Sequence, residues 1–103
     1  MSTRPEIVCI CGSMQFAEDM RIVSQSLTLA GIIVLMPTEI DRPITDEQKA
    51  ALGELHLRRI DLADRVMVVN RGEDYGESTL RESAYAEAAG KPVTFVGPAW
   101  GWQ

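Results

Sequence analysis

Ser78 and Glu82 are a pair of residues whose types and spacing could do chemistry. They lie four residues apart where a helix is predicted to begin, so both project from the same helix face. A hydroxyl and a carboxylate would then point to one place, next to backbone N–H groups that favour an anion. The alternative is that Ser78 only caps the helix and that Glu82 is a solvated surface acid, because such caps are common.

Gly12 and Ser13 form a second loop of interest, because they follow an apolar segment, residues 6–11, that predicts a central strand. Gly76 lies in a similar loop, between a predicted strand and the helix that carries Ser78. In open α/β sheets, ligands bind at the carboxyl ends of strands, where such loops lie. With a strand order of 2-1-3-4 the two loops meet, so we predict a ligand site between them.

His56 and Arg59 lie three residues apart within the apolar arc of a helix predicted over residues 45–63. Either they point into a site, where they bind an anion or move a proton, or they are a satisfied semi-buried histidine and an arginine that reaches solvent. Asp61 falls on the remaining polar strip. The apolar arc covers more than half of the helix, so we expect the helix to contact a second subunit as well as the sheet.

The elements that must position these residues alternate along the chain. The sequence predicts strands over residues 6–11, 32–36, 65–70 and 92–96, and helices over residues 16–30, 45–63 and 78–89. Residues 71–75 are expected to form a loop and residues 97–103 a tail. This alternation indicates one α/β domain over residues 1–103, a Rossmann- or flavodoxin-like doubly wound parallel sheet of four to five strands.

Composition argues against several kinds of partner. The 103 residues carry a net charge of −5 without a basic stripe, so neither nucleic acid nor a membrane surface is expected as a partner. No apolar segment approaches the roughly 20 residues that span a bilayer, and no signal peptide is visible, so we expect a cytoplasmic protein. Cys9 and Cys11 share one face of the first strand, which is only a weak metal signal. We predict two buried thiols, no metal and no cofactor.

Three segments together carry a family resemblance. Residues 8–14, Val-Cys-Ile-Cys-Gly-Ser-Met, resemble the first strand and phosphate loop of the 2′-deoxynucleoside 5′-phosphate N-hydrolases. Residues 81–86, followed by residues 89–93, resemble the nucleophile helix and last strand of the wider nucleoside 2-deoxyribosyltransferase family, and residues 60–69 the passage before them. The resemblance implies a compact version of that fold, assembled as a homodimer or larger, with active sites near the subunit boundary.

The resemblance implies cleavage or exchange at the N-glycosidic bond of a deoxynucleoside or its 5′-monophosphate. Glu82 matches the glutamate that attacks C1′ and forms a glycosyl-enzyme ester, which water or a second base then releases. The residues expected to bind the substrate and its phosphate are Gly12, Ser13, Met14, Gly76, Ser78 and Arg59.

Two positions depart from the family pattern. His56 stands in place of an aspartate that assists at the sugar or base, and Cys9 in place of a tyrosine on the first strand. His56 could still protonate the leaving base, and Asp61 is a second candidate acid. Two alternatives stay open: a catalytically silent nucleotide-binding or regulatory module of the same fold, and a phosphoribohydrolase of the cytokinin-activating type, whose longer glycine-rich motif is absent here.

Overall fold

The computed structural model describes residues 4–70 and 76–96, which form an α/β domain with a four-stranded parallel sheet. The strands are β1 (Ile7–Cys11), β2 (Ile33–Leu35), β3 (Arg65–Val69) and β4 (Val93–Val96). The helices are α1 (Ala17–Leu29), α2 (Asp46–Leu62) and α3 (Glu77–Ala88), with a 3₁₀ turn (Met14–Phe16) before α1. The expected loop over 71–75 and tail over 97–103 lie outside the described residues. Within the two described ranges, no helix is long and apolar enough to cross a membrane.

The strand order β2-β1-β3-β4 confirms the predicted doubly wound topology. Successive residues of β1 face opposite sides of the sheet, as the pleat of a strand requires. Val8 and Ile10 pack with α1 on one side, whereas Cys9 and Cys11 pack with α2 and α3 on the other. Both faces are covered by helices, which is why β1 is apolar throughout. The strand order reverses between β1 and β3, and the carboxyl ends of these strands flank a crevice.

Local side-chain and backbone contacts set the helix ends. Thr45 caps α2: its hydroxyl accepts from the Gln48 N–H, and the Gln48 side chain accepts from the Thr45 N–H, which is a capping box. Helix α3 begins at Glu77 with Gly76 as its N-cap, so the alternative in which Ser78 caps this helix is wrong. Gly90 ends α3 with a φ of 79°, a left-handed conformation that favours glycine.

Gly12 allows the two central strands to approach each other at the crevice. A Cβ at this position would lie 2.7 Å from the Val69 carbonyl oxygen and 3.1 Å from the Met20 sulfur. The first of these contacts is with backbone, so any side chain would push the end of β1 away from β3. Glycine is therefore required to hold the loop after β1 against the carboxyl end of β3.

Asp64, the residue before β3, binds the segment that leads into β1. Its carboxylate accepts from the Arg4 guanidinium at 2.7 and 2.8 Å and from the Ile7 N–H at 2.8 Å. The bonds from Arg4, followed by the bond from Ile7, hold the pKa of Asp64 well below its usual range. The contact thus stabilises the fold only while Asp64 is ionised.

We expect Asp64→Asn to lower the thermal unfolding midpoint at neutral pH, because the amide loses the charge-assisted bonds. A depressed folded-state pKa gives stability that is present above the unfolded-state pKa, about 4, and is lost as the pH falls toward the folded-state value. The midpoints of wild type and variant, followed by circular dichroism, should therefore converge on acidification. Glu87→Gln, at an exposed carboxylate of α3, is the control. A difference in midpoint that is the same at every pH would contradict this account.

Candidate functional site

A cavity of about 740 Å³ opens beyond the carboxyl ends of β1 and β3. Its walls are the loops that follow β1 and β2, the beginning of α3, and one face of α2. Open α/β sheets bind ligands in this crevice, and the volume is typical of a small-molecule site. The residues that α2 contributes follow the helical repeat along one face, namely Lys49, Leu52, Gly53, His56 and Arg59.

The cavity brings together the predicted site residues with one exception. Those that line it are Gly12, Ser13, Met14, His56, Arg59, Gly76, Ser78 and Glu82. Asp61 does not line it: its carboxylate accepts from the Tyr85 hydroxyl at 2.7 Å and pairs with Arg58 at 3.2 Å on the exposed side of α2. Asp61, the second candidate acid, therefore links α2 to α3 and does not line the cavity.

The sequence does not single out Lys49 or Thr79, and it predicts Cys11 only as a buried thiol, but the structure places all three in or beside the site. Lys49 and the buried Thr79 line the cavity, and the Cys11 sulfur contacts His56. The spacing of Lys49 was an available signal. Lys49 lies seven positions before His56, and seven residues make about two helical turns, so both side chains project from the same face of α2. Cys11 gives no comparable signal, since an apolar strand residue at its position would be equally buried.

His56 is the buried polar centre of the site. Its side chain is 3 % exposed, and Nε2 lies 3.3 Å from the Cys11 sulfur and 3.7 Å from the Cys9 sulfur. Its Nδ1 lies 3.3 Å from Arg59 Nη1. A guanidinium can only donate, so Nδ1 must accept and the ring proton must be on Nε2. Arg59 therefore sets the tautomer of His56, and the Nε2–H faces the thiols and Glu82.

Glu82 reaches the same cluster from α3, one helical turn after Ser78. Its Oε1 lies 3.8 Å from His56 Nε2, and its side chain is only 13 % exposed. Burial raises the pKa of Glu82, because removal from water disfavours the charged form. A carboxylate that is poorly solvated and faces an open cavity is suited to react with a bound substrate.

Cys9 and Cys11 are fully buried free thiols, which confirms the burial predicted for them. The contact with the Cys11 thiol lowers the pKa of Cys9, whereas the same contact and burial raise the pKa of Cys11. The two sulfurs thus titrate as a pair, and one of them loses its proton much more readily than the other.

The fold and the site define a flavodoxin-like α/β domain with an acid–histidine pair at its switch-point cavity. Among solved structures, the chain is similar to a 2-deoxyribosyltransferase from the psychrotolerant bacterium Bacillus psychrosaccharolyticus, with a TM-score of 0.75 and 17 % identity over 94 % of this chain and 76 % of that one. It is also similar to a 2-deoxyribosyltransferase from Leishmania mexicana, with a TM-score of 0.70 and 18 % identity over 90 % of this chain and 65 % of that one. No protein-family model and no curated protein matches the sequence. At this level of identity the likeness shows the fold.

Proposed function

We propose that the protein cleaves or exchanges the N-glycosidic bond of a (deoxy)nucleoside 5′-monophosphate, with Glu82 as the nucleophile. The observation that carries the proposal is the convergence of Glu82, His56 and both glycine-bearing loops on one cavity. The two solved structures reported above are 2-deoxyribosyltransferases, which supports glycosyl transfer as the class of reaction. The choice of a monophosphate substrate rests on the resemblance of residues 8–14 to the N-hydrolases.

The proposed chemistry follows from a carboxylate held next to a sugar. Glycosidic cleavage passes through an oxocarbenium-like state, which a nearby carboxylate stabilises and then traps. A Glu82 oxygen would bond to C1′ as the C1′–N bond breaks. The electron pair of the broken bond would leave with the base, which would take up a proton from the His56 imidazolium. Water or a second base would then attack C1′ and release Glu82 as a carboxylate, and the proton that the attacking group loses would return to His56.

The 5′-phosphate is proposed to lie against the loop after β1 and the start of α3. The first N–H groups of a helix lack partners within it, and no side chain of the described residues caps this end of α3. Ser13 and Ser78 line the cavity, and Lys49 contributes a positive charge from α2. These groups together can bind a dianion without a large basic cluster.

Ser13→Ala and Ser78→Ala are each expected to weaken monophosphate binding by about 1–2 kcal/mol, because each removes a hydrogen bond to a charged group. The affinity for the free nucleoside should change little, and calorimetric titration with both ligands measures the difference. Ser83→Ala is the matched control, since the Ser83 hydroxyl is on the same helix but donates to the Leu80 carbonyl. Equal weakening of nucleoside and monophosphate binding would show that the loops contact another part of the ligand.

We also propose that the exposed apolar face of α2 forms a homodimer interface. Leu55 is 49 % exposed and Leu62 is 66 % exposed in the single chain. Leu55→Glu should dissociate the dimer, because it would bury an unpaired charge. Sedimentation velocity at micromolar concentration measures the change, with Leu29→Glu, at an exposed leucine of α1, as the control. A monomeric wild-type protein would contradict the proposal.

The direct test of the function is incubation with each deoxynucleoside and ribonucleoside monophosphate, followed by chromatography for free base. Addition of a second base separates hydrolysis, which releases only free base, from transfer, which forms a new nucleotide. Binding without turnover of any substrate would favour the silent nucleotide-binding module. Base release from ribonucleotides alone would favour the phosphoribohydrolase.

A further inference from the structure

We propose that Cys9, Cys11 and His56 form a binding site for a thiophilic divalent metal of tetrahedral preference, such as Zn²⁺. Both sulfurs and a ring nitrogen of His56 lie within 4.8 Å of one another, and all three residues are buried. The proposal replaces the expectation from the sequence that these cysteines are only packed thiols and that no metal binds. No metal takes part in the glycosidic chemistry proposed above, and the metal site shares His56 with it.

The distances fit a tetrahedral metal. Bonds of about 2.3 Å to sulfur and about 2.0 Å to nitrogen place these two ligands roughly 3.5 Å apart at a tetrahedral angle. The observed distances to His56 Nε2 are 3.3 Å from Cys11 and 3.7 Å from Cys9. Residues two apart in a strand point to the same side, so β1 holds both sulfurs towards the ring that α2 presents. Only small shifts are needed for one metal to contact all three atoms.

The donor set indicates the class of metal. Two sulfurs and an imidazole favour zinc or another soft or borderline metal over magnesium or calcium, which prefer oxygen. Two thiolates also neutralise a divalent charge, which allows the metal to be buried. The nearest fourth donor is Glu82, whose Oε1 lies 3.8 Å from His56 Nε2. Where Glu82 is the nucleophile, as proposed above, a metal bound here would withhold its carboxylate from the substrate.

Arg59 opposes metal binding in the arrangement observed. Its Nη1 lies 3.3 Å from His56 Nδ1, which must act as the acceptor. A metal on Nε2 requires the ring proton on Nδ1, and that N–H would face the donor groups of Arg59. Arg59 is partly buried and lines the open cavity, so its side chain has space to turn away. Loss of the guanidinium should therefore strengthen metal binding, in contrast to loss of a ligand.

Titration of the reduced, metal-free full chain with Co²⁺ tests the site directly. Thiolates on tetrahedral Co²⁺ give sulfur-to-metal charge-transfer absorption and intense visible bands, which should saturate at one ion per chain and disappear when Zn²⁺ displaces it. Cys9→Ser, Cys11→Ser and His56→Gln each remove a proposed metal ligand. Each should weaken binding by more than the roughly 10- to 100-fold that follows loss of a residue that only hydrogen-bonds to a ligand. Arg59→Gln should bind Co²⁺ more tightly, because the glutamine oxygen can accept the Nδ1–H.

His56→Gln and Arg59→Gln decide the proposal even if a cysteine variant does not fold. Circular dichroism would reveal such a failure to fold. Absence of the charge-transfer band in the wild type would overturn the site. Unchanged affinity in both His56→Gln and Arg59→Gln would also overturn it, since the thiols alone would then capture the ion. The titration needs no substrate, so its result is independent of whether the protein releases a base.

Discussion

Glu82→Ala is expected to abolish base release, with a loss of at least about 10³-fold, while folding and nucleotide binding are retained. The variant removes the group that would bond to C1′. The Glu82 side chain contacts the His56 ring at the cavity and does not belong to either core cluster, so its loss should not unfold the chain. The measurements are free base by chromatography and monophosphate affinity by calorimetry.

Glu77→Gln provides a matched control for this experiment. Glu77 is a second carboxylate of α3 and lines the same cavity, so its loss changes the cavity charge equally. We expect its rate to stay within a few-fold of wild type. Mass spectrometry of the acid-quenched wild type should also show an adduct of one deoxyribosyl phosphate that Glu82→Ala lacks. Activity of Glu82→Ala within about tenfold of wild type would remove Glu82 as the nucleophile.

His56→Asn is expected to lower the rate of base release by roughly 10²–10⁴, the usual contribution of a general acid. To donate a proton, His56 must be the imidazolium, so Nδ1 must also carry a proton and Arg59 must turn away from it. The Nε2–H then donates from the wall of the cavity, 3.8 Å from Glu82. Ile60→Val is the stability control, because Ile60 is fully buried on the same helix one turn later. It should lower the unfolding midpoint without a comparable loss of rate.

The leaving group distinguishes two roles for His56. A base that departs without a proton, such as 7-methylguanine, needs no acid, so a substrate carrying it should be cleaved almost equally by wild type and His56→Asn if His56 protonates the base. If His56 acts instead by orienting Glu82, both kinds of substrate should slow to the same extent. A variant that unfolds more readily but keeps its rate with every substrate would show that His56 is only a packed core residue.

The topology of the site was predictable from the sequence because it depends on patterns that span whole elements. Apolar strands alternate with amphipathic helices, and this alternation predicts the order in which the sheet is wound and the place where its loops meet. The four-residue spacing of Ser78 and Glu82 predicts a shared helix face, and both residues line the cavity. Element ends were less predictable, since β2 is confined to Ile33–Leu35 and Met14 belongs to a 3₁₀ turn.

The contacts of individual side chains could not be predicted, because they depend on distances between elements. The tautomer of His56 follows from the rotamer of Arg59, and the contact with both sulfurs follows from how closely α2 packs on β1. Neither the rotamer of Arg59 nor the distance between α2 and β1 can be inferred from the spacing of residue types. For the same reason, the helical wheel placed Asp61 on a polar strip but could not show that Tyr85 and Arg58 bind it there.

The central position of β1 and β3 has a consequence for amide hydrogen exchange. Each of these strands is paired on both sides, β1 with β2 and β3, and β3 with β1 and β4. The backbone amides of these two strands, a first group, should therefore exchange only through global unfolding. The amides of residues 12–14 and 76–79, at the loop after β1 and the start of α3, are a second group that should exchange through local opening. Ligand binding should slow exchange in the first group only as far as it raises the free energy of global unfolding, whereas in the second group it should also suppress the local opening. The sulfur and imidazole side of the cavity is held in place before any ligand arrives, and only the phosphate side is left for the ligand to order.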